Sequence, residues 1–189
     1  MAPEFAEIFR KQVDENYKAT RQETPDELVP QFDRVRELLD AFHIPLVERA
    51  GYEADDILGT FARQAAEQGI DTVIVTLDND IVQLVEPHIR VYMYRLYQRD
   101  YVMYDEDAVR ERWGFEPRQM IDYKALVGDT SDNIPGVPGI GEKTAKKLIG
   151  IYGSVESLLE HTGDLKGKQK ENVETYADQA RMSKRLVTI

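Results

Sequence analysis

The run Leu126–Ile149, LVGDTSDNIPGVPGIGEKTAKKLI, constrains the fold more than any other stretch of this chain. Pro135-Gly136-Val137-Pro138-Gly139-Ile140-Gly141 cannot continue a helix or a strand, because proline removes a donor and glycine favours tight turns. Val137 and Ile140 anchor that turn inward. Glu142-Lys143-Thr144-Ala145-Lys146-Lys147 then opens a helix, and Gly141 leaves its first N–H groups bare, as an anion site requires. Lys143, Lys146 and Lys147 follow close behind. The pattern is that of a helix-hairpin-helix, which grips a nucleic-acid phosphate backbone without reading sequence. A glycine-proline loop before an ordinary amphipathic helix is the plainer reading. The full string is more specific than a glycine-rich loop alone.

Overall charge does not supply that grip. The net charge is −11, so the basic groups must act locally while the excess carboxylates attract cations. There is no cysteine, which excludes a disulfide framework and a thiolate metal site. No apolar run is long enough to span a bilayer, and the N-terminus does not read as a signal peptide, so a cytoplasmic setting is expected. With 189 residues the chain can build one sizeable domain, or a domain with a small appendage.

Taken in order, Phe5, Ile8, Phe9 and Val13 have helical spacing. Thr24-Pro25-Asp26-Glu27 predicts a helix start, with Leu28, Phe32, Val35, Leu38, Leu39 and Phe42 on one buried face. Ile44–Glu48 reads as a strand. A helix follows Glu53-Ala54-Asp55-Asp56, with Ile57, Leu58, Phe61 and Ala65 inward and Gly69 ending it. Thr72–Leu77 suits a strand buried on both faces. Ile81–Val85 predicts a short helix, and Arg90–Arg95 with Tyr101–Tyr104 a hairpin. Asp105 and Gly114 bracket a helix, and another runs from Pro117 to Val127. Ser154 caps a later helix, one more ends near Arg185, and Leu186–Ile189 reads as a final strand. The expected class is α/β: a mostly parallel sheet with flanking helices over 1–127, and a helical subdomain over 128–189 whose last helix and strand return to the core.

Three acidic clusters fall at junctions between elements: Glu53/Asp55/Asp56, Asp78/Asp80 and Asp129/Asp132. In open α/β sheets ligands bind beyond the carboxyl ends of strands, where Asp78 and Asp80 sit. Many oxygens without His or Cys select a hard cation, Mg²⁺ or Mn²⁺. Two such ions about 4 Å apart form a phosphodiesterase arrangement. Helix capping would explain Asp55 or Asp80 singly. His43, His88 and His161 stand apart from these motifs.

GYEADD (Gly51–Asp56), TLDND (Thr76–Asp80), GDTSDN (Gly128–Asn133) and GIGEKTA (Gly139–Ala145), with FR at Phe9-Arg10 and YKATR at Tyr17–Arg21, resemble the 5′-nuclease (flap endonuclease-like) family. Within it they are most similar to the 5′→3′ exonuclease domains of bacterial DNA polymerases. The resemblance runs from about Phe9 to Ile189. It implies a PIN-like fold and a metal-dependent nuclease that trims 5′ flaps and RNA primers from nicked or branched duplex. It makes the three acidic clusters the metal ligands of two ions. It assigns Arg10, Lys18 and Arg21 to orienting the scissile phosphate. Gly136–Lys147 becomes a duplex clamp, organised by K⁺ on backbone carbonyls, and a polymerase domain is expected after the chain. Leu77 and Asn79 depart from the family, which has a small residue and a Lys or Arg there. The resemblance also implies two strands and two further aspartates ahead of the point where this sequence starts.

The main expectation is therefore a 5′ nuclease using metal-bound hydroxide. The rivals are a branched-DNA binding module that does not cut and, more weakly, a metal-dependent ribonuclease.

Overall fold

Alternation along Ile89–Arg95 decides the sheet. Ile89, Val91 and Met93 point into the core, while Arg90, Tyr92 and Tyr94 point away. This strand, β2, pairs parallel with β1 (Thr72–Thr76) and antiparallel with β3 (Asp100–Tyr104), giving the order β1-β2-β3. The structure, a computed structural model, describes residues 8–189. The expected contribution of Phe5 to the first helix lies outside them. That helix is α1 (Phe9–Val13).

A 3₁₀ segment, Asn79–Leu84, carries the chain from β1 toward β2 and drives Ile81, Val82 and Leu84 into the core. Asp105 accepts a hydrogen bond from the Ala108 N–H to start α4 (Glu106–Trp113), and Gly114 closes it in the left-handed conformation. The core continues through Met120, Ala125 and Leu126 of α5 (Gln119–Val127) and Ala145, Leu148 and Ile149 of α6 (Glu142–Tyr152). Each large apolar side chain among these, fully buried, contributes roughly 1.5–3 kcal/mol. Helices α7 (Val155–Glu160), α8 (Gly167–Thr175) and α9 (Ala177–Val187) complete the second half, with α9 packed on α5.

Several expectations change. Ile44–Glu48 is an exposed irregular segment, not a strand, because nothing among the described residues pairs with it. Helix α2 spans Val29–Ala41 rather than starting at Thr24, since Pro30 fits the first turn and residues 26–28 form a turn before it. No residue of α2 is buried: Phe32, Val35, Leu38 and Phe42 face outward, and amphipathic spacing by itself does not supply a partner. In α3 (Ala54–Glu67) the small residues Gly59 and Ala62 are buried, whereas Phe61 is half exposed, so close approach rather than bulk decides the packed face. Only Ile74 of β1 is buried, and Val75 is 71% exposed, since β1 is an edge strand. Leu186 and Val187 finish α9, and only Thr188-Ile189 leave the helix, so the final strand is not formed. They still return to the core: the Ile189 N–H donates to Gln83 Oε1 at 3.0 Å.

The loop after α5 folds back closely on itself. Asp129 and Ile134 exchange N–H···O bonds of 2.8 and 2.7 Å, and the Val137 N–H donates to Leu126 O at 2.7 Å. This brings Gly128 (φ +81°) and Gly136 (φ +62°) against one another. A Cβ on Gly128 would stand 2.5 Å from Ile134 O, and one on Gly136 would fall on the Val127–Gly128 peptide. Gly136→Ala should therefore destabilise by about 3 kcal/mol or more, combining a left-handed backbone with a steric clash. Gly150, inside α6, is the control, because a Cβ there would meet nothing within 4 Å. Gly150→Ala should stabilise by roughly 0.5–1 kcal/mol. Urea unfolding of both variants checks the pair, and equal midpoints would refute the packing account.

Candidate active site

Glu53 begins α3 with a reciprocal cap. The Asp56 carboxylate accepts from the Glu53 N–H at 2.9 Å, and the Glu53 side chain caps the Asp56 backbone. This places both carboxylates on one side of the helix start. Arg10, only 3% exposed, lies against them. Its guanidinium donates to Asp56 Oδ1 at 2.7 Å and Oδ2 at 2.8 Å, and to Glu53 Oε2 at 2.9 Å. It also donates to Leu186 O at 2.8 Å and Thr188 O at 2.7 Å. Its donors are thus consumed by protein acceptors. Arg10 ties α1 and α3 to the end of α9 rather than presenting a free cation to a phosphate.

Tyr17 and Lys18 join the first acidic cluster to the third. The buried Tyr17 hydroxyl lies 3.0 Å from Glu53 and 3.1 Å from Asp132. Burial, then the charges of Glu53 and Asp132, raise its pKa well beyond the phenol range. Lys18 pairs closely with Glu53 and stands 3.6 Å from Asp132. Its backbone N–H donates to Asp132 O at 2.9 Å, and it adopts a positive φ of 57°. Arg21, half exposed, donates to Asp132 Oδ1 at 2.6 Å.

The second and third clusters meet on Lys124, which α5 presents five positions before Asp129. Its ammonium lies 2.7 Å from Asp80 Oδ1 and 2.5 Å from Asp129 Oδ2. Asp80 Oδ1 is buried, with that ammonium as its one close partner among the described residues. Burial pushes the Asp80 carboxyl up to about 6, against the pull of Lys124. Burial also raises Asp129, but hydrogen bonds from Lys124 and Ser131 outweigh it and hold its pKa below the usual value. Asp78 caps the 3₁₀ segment through the Asp80 N–H at 2.8 Å. Asp55 is raised by burial first and then by the charges of Asp78 and Glu53, which places the three carboxylates within electrostatic reach.

All the candidate donors are oxygen, and a buried carboxylate oxygen of Asp80 has only an ammonium beside it, so the chemistry suits a hard cation. Yet among the described residues no three of His, Cys, Asp and Glu converge closely enough to hold an ion. Arg10, Lys18, Arg21 and Lys124 stand between the carboxylates instead. Sequence reasoning missed Tyr17 as a bridge and Lys124 altogether. The YKATR motif carried a signal for Tyr17. Lys124 sits in a helix where lysine is unremarkable.

At the hairpin, Gly136 O accepts from Gln179 at 2.6 Å and Pro138 O from Asn172 at 2.8 Å, so α8 and α9 brace the turn. Gly139 has φ +78°, and Gly141 starts α6 without a side-chain cap. Ala145 is buried, whereas Lys143 and Lys147 are exposed and Thr144 and Lys146 partly so. Among the described residues none of these lysines forms an ion pair. A cleft of about 440 Å³, lined by Lys124, Asp129, Asn133 and Glu142, connects the aspartate loop to the hairpin helix. His43, His88 and His161 are exposed and away from these groups.

Comparison with known proteins places the chain. Residues 3–114 match the family described as 5′-3′ exonuclease, N-terminal resolvase-like domain, and residues 115–189 its C-terminal SAM fold. DNA polymerase I of Bacillus caldotenax is 46% identical over 182 residues, covering 96% of this chain and 21% of that protein. DNA polymerase I of Bacillus subtilis is 47% identical, over 96% of this chain and 21% of its own length. The chain thus spans about a fifth of these curated relatives. Among solved structures, a T5 5′-exonuclease with bound divalent metal ions (zinc) superposes with a TM-score of 0.77 at 25% identity, covering 95% of this chain and 69% of that one. A bacteriophage T5 flap endonuclease in a pseudo-enzyme-product complex with DNA and metal ions gives the same TM-score of 0.77 at 25% identity, with the same coverage.

The Arg10 geometry predicts a large asymmetry between two arginines. Arg10→Met strands Glu53, Asp56 and two carbonyls, and should cost about 3–5 kcal/mol. Arg21→Met removes a half-exposed pair and should cost no more than about 1 kcal/mol. Chemical denaturation of both variants reads the difference, and an unchanged midpoint for Arg10→Met would refute the clamp.

Proposed function

The chain belongs to the 5′-3′ exonuclease family, and from that premise we propose that it is a divalent-metal-dependent 5′→3′ exonuclease and 5′-flap endonuclease acting on DNA. The observation that carries this reading is the sharing of cations between distant carboxylates. Glu53 and Asp132 share Tyr17 and Lys18, and Asp80 and Asp129 share Lys124. Carboxylates held this way are poised for a stronger cation. Glu53, Asp55, Asp56, Asp78, Asp80, Asp129 and Asp132 together would supply the oxygen ligands of two ions once the cations between them give way. Mg²⁺ or Mn²⁺ suits an all-oxygen set. Such an ion, when bound, supplies a hydroxide at neutral pH and charge stabilisation on the phosphate.

The chain's own residues do the rest. Lys18 and Arg21 face the shared acidic region and would neutralise the scissile phosphate as charge develops on it. Arg10 keeps Glu53 and Asp56 in register with the end of α9. Gly136, Val137, Gly139 and Gly141 shape the turn that frees the first N–H groups of α6. Those groups, with Lys143, Thr144, Lys146 and Lys147, would bind duplex phosphates. A K⁺ ion at the hairpin would have to share carbonyls that already accept from Gln179 and Asn172. The substrates inferred are 5′ flaps, nicked or branched duplex and RNA primers on DNA in the cytoplasm, with a polymerase as working partner. Among the described residues no helix is long and apolar enough to cross a membrane.

One observation favours a second reading, a branched-DNA binding module that does not cut: no three described carboxylates converge. Cleavage of a 5′-flap duplex with and without Mg²⁺ separates the two. The nuclease reading expects Mg²⁺-dependent product, and Asp78→Asn or Asp132→Asn should lower cleavage by at least about 10²-fold while DNA affinity changes little. Product formation unaffected by either substitution would refute the site. For the hairpin, Lys146→Ala should weaken binding equally across sequences and lower the log–log salt slope by about one unit or less. A loss confined to particular sequences would refute a backbone grip.

A further inference from the structure

We propose that Lys124 is a displaceable counter-cation: it holds Asp80 and Asp129 together until a divalent ion takes its place, and then swings into the adjoining cleft. This rests on the divalent-cation reading above and adds a residue to it. Three observations carry it. The Lys124 ammonium sits between one oxygen of Asp80 and one of Asp129, at 2.7 and 2.5 Å, where a shared cation would be expected. Asp80 Oδ1 is buried, and among the described residues its one close partner is that ammonium. The pair is therefore neutralised by a single charge, whereas a divalent ion brings two charges and more ligand directions to the same two carboxylates. Finally, Lys124 lines a cleft that Glu142 also lines, so a displaced ammonium has both room and a second carboxylate.

Lys124 touches no reacting atom in this account. It is a positioning residue that acts through Asp80 and Asp129. Binding of the ion becomes an exchange of one cation for another, which keeps the buried pair neutralised on either side of the event. The exchange also lowers apparent metal affinity, because the resident cation must leave first. Lys18 is a different case, since its partners Glu53 and Asp132 are also engaged by Arg10, Arg21 and Tyr17.

Two measurements on the full chain test this. The first needs no variant. Lysine acetylation by an N-hydroxysuccinimide ester, read by mass spectrometry, reports the accessibility of Lys124 relative to the exposed Lys143. Titrating MgCl₂ should raise the Lys124 rate severalfold while Lys143 stays constant. The second is calorimetric titration with MnCl₂. Lys124→Met should bind Mn²⁺ about tenfold more tightly than the parent chain, since no resident charge must be expelled. It should also be less stable in EDTA and gain more stability on adding Mn²⁺. Lys124→Arg, which keeps the charge, should bind no more tightly than the parent. Lys184→Met removes a lysine that pairs with Asp122 and Glu156 instead, and should leave Mn²⁺ affinity unchanged. Metal binding with constant Lys124 labelling, or unchanged affinity in Lys124→Met, overturns the exchange while leaving the nuclease reading intact. Absence of Mg²⁺ and Mn²⁺ binding by parent and variant alike overturns both.

Discussion

The acidic end of this molecule depends on charge neutralisation. Carboxylates from the start of α3, the end of β1 and the loop after α5 share one partly buried region, and like charges gathered there raise its energy unless cations offset them. Arg10, Lys18, Arg21 and Lys124 provide it, each from a different kind of place: a short helix, a turn, an exposed loop and a helix interior. The arrangement explains how a chain of net charge −11 can gather its acids in one region and still fold. It also separates roles. Cations wholly engaged by protein, such as Arg10, stabilise the frame, whereas partly exposed ones, such as Arg21, have donors left for something else.

A second constraint is steric. Gly128 and Gly136 meet where no side chain fits, and this closes the loop that carries Asp129 and Asp132. The same closure aims the following turn toward α8 and α9, whose Asn172 and Gln179 take up its carbonyls. The aspartate loop and the hairpin are therefore tied to the same frame. A duplex gripped at α6 would be held at a set distance from the carboxylates, which is what a nuclease that measures position rather than sequence requires.

Much of this was legible in the sequence because it is written in residues with few conformational options. The Gly–Pro turn, the Asp105 and Ser154 caps, the Gly114 stop and the β2–β3 hairpin each rest on a local rule, and each formed. The acidic clusters were visible as clusters. Their cationic partners were not all visible, since Lys124 reaches Asp80 only through tertiary placement and nothing local distinguishes it from a surface lysine. The apolar stripe of α2 shows the opposite limit. Periodicity states that Phe32, Val35, Leu38 and Phe42 share a face, but not what covers it, and the described residues leave it uncovered. In α3 the pattern pointed to Phe61, whereas the packed positions are Gly59 and Ala62. At Gly59, Ile189 and Leu84 approach too closely for a larger residue.

The Arg10 fork has a consequence for the order of events during synthesis. Two of its acceptors, Leu186 O and Thr188 O, emerge from the ribosome long after Glu53 and Asp56. Until they do, a buried arginine and two carboxylates lack part of their frame, and the contact has one of the longest sequence separations the chain can offer. The strands and hairpin can form earlier from nearer neighbours. Arg10, Glu53 and Asp56 therefore reach their full set of partners only after α9 has been made, however early the strands beside them have formed.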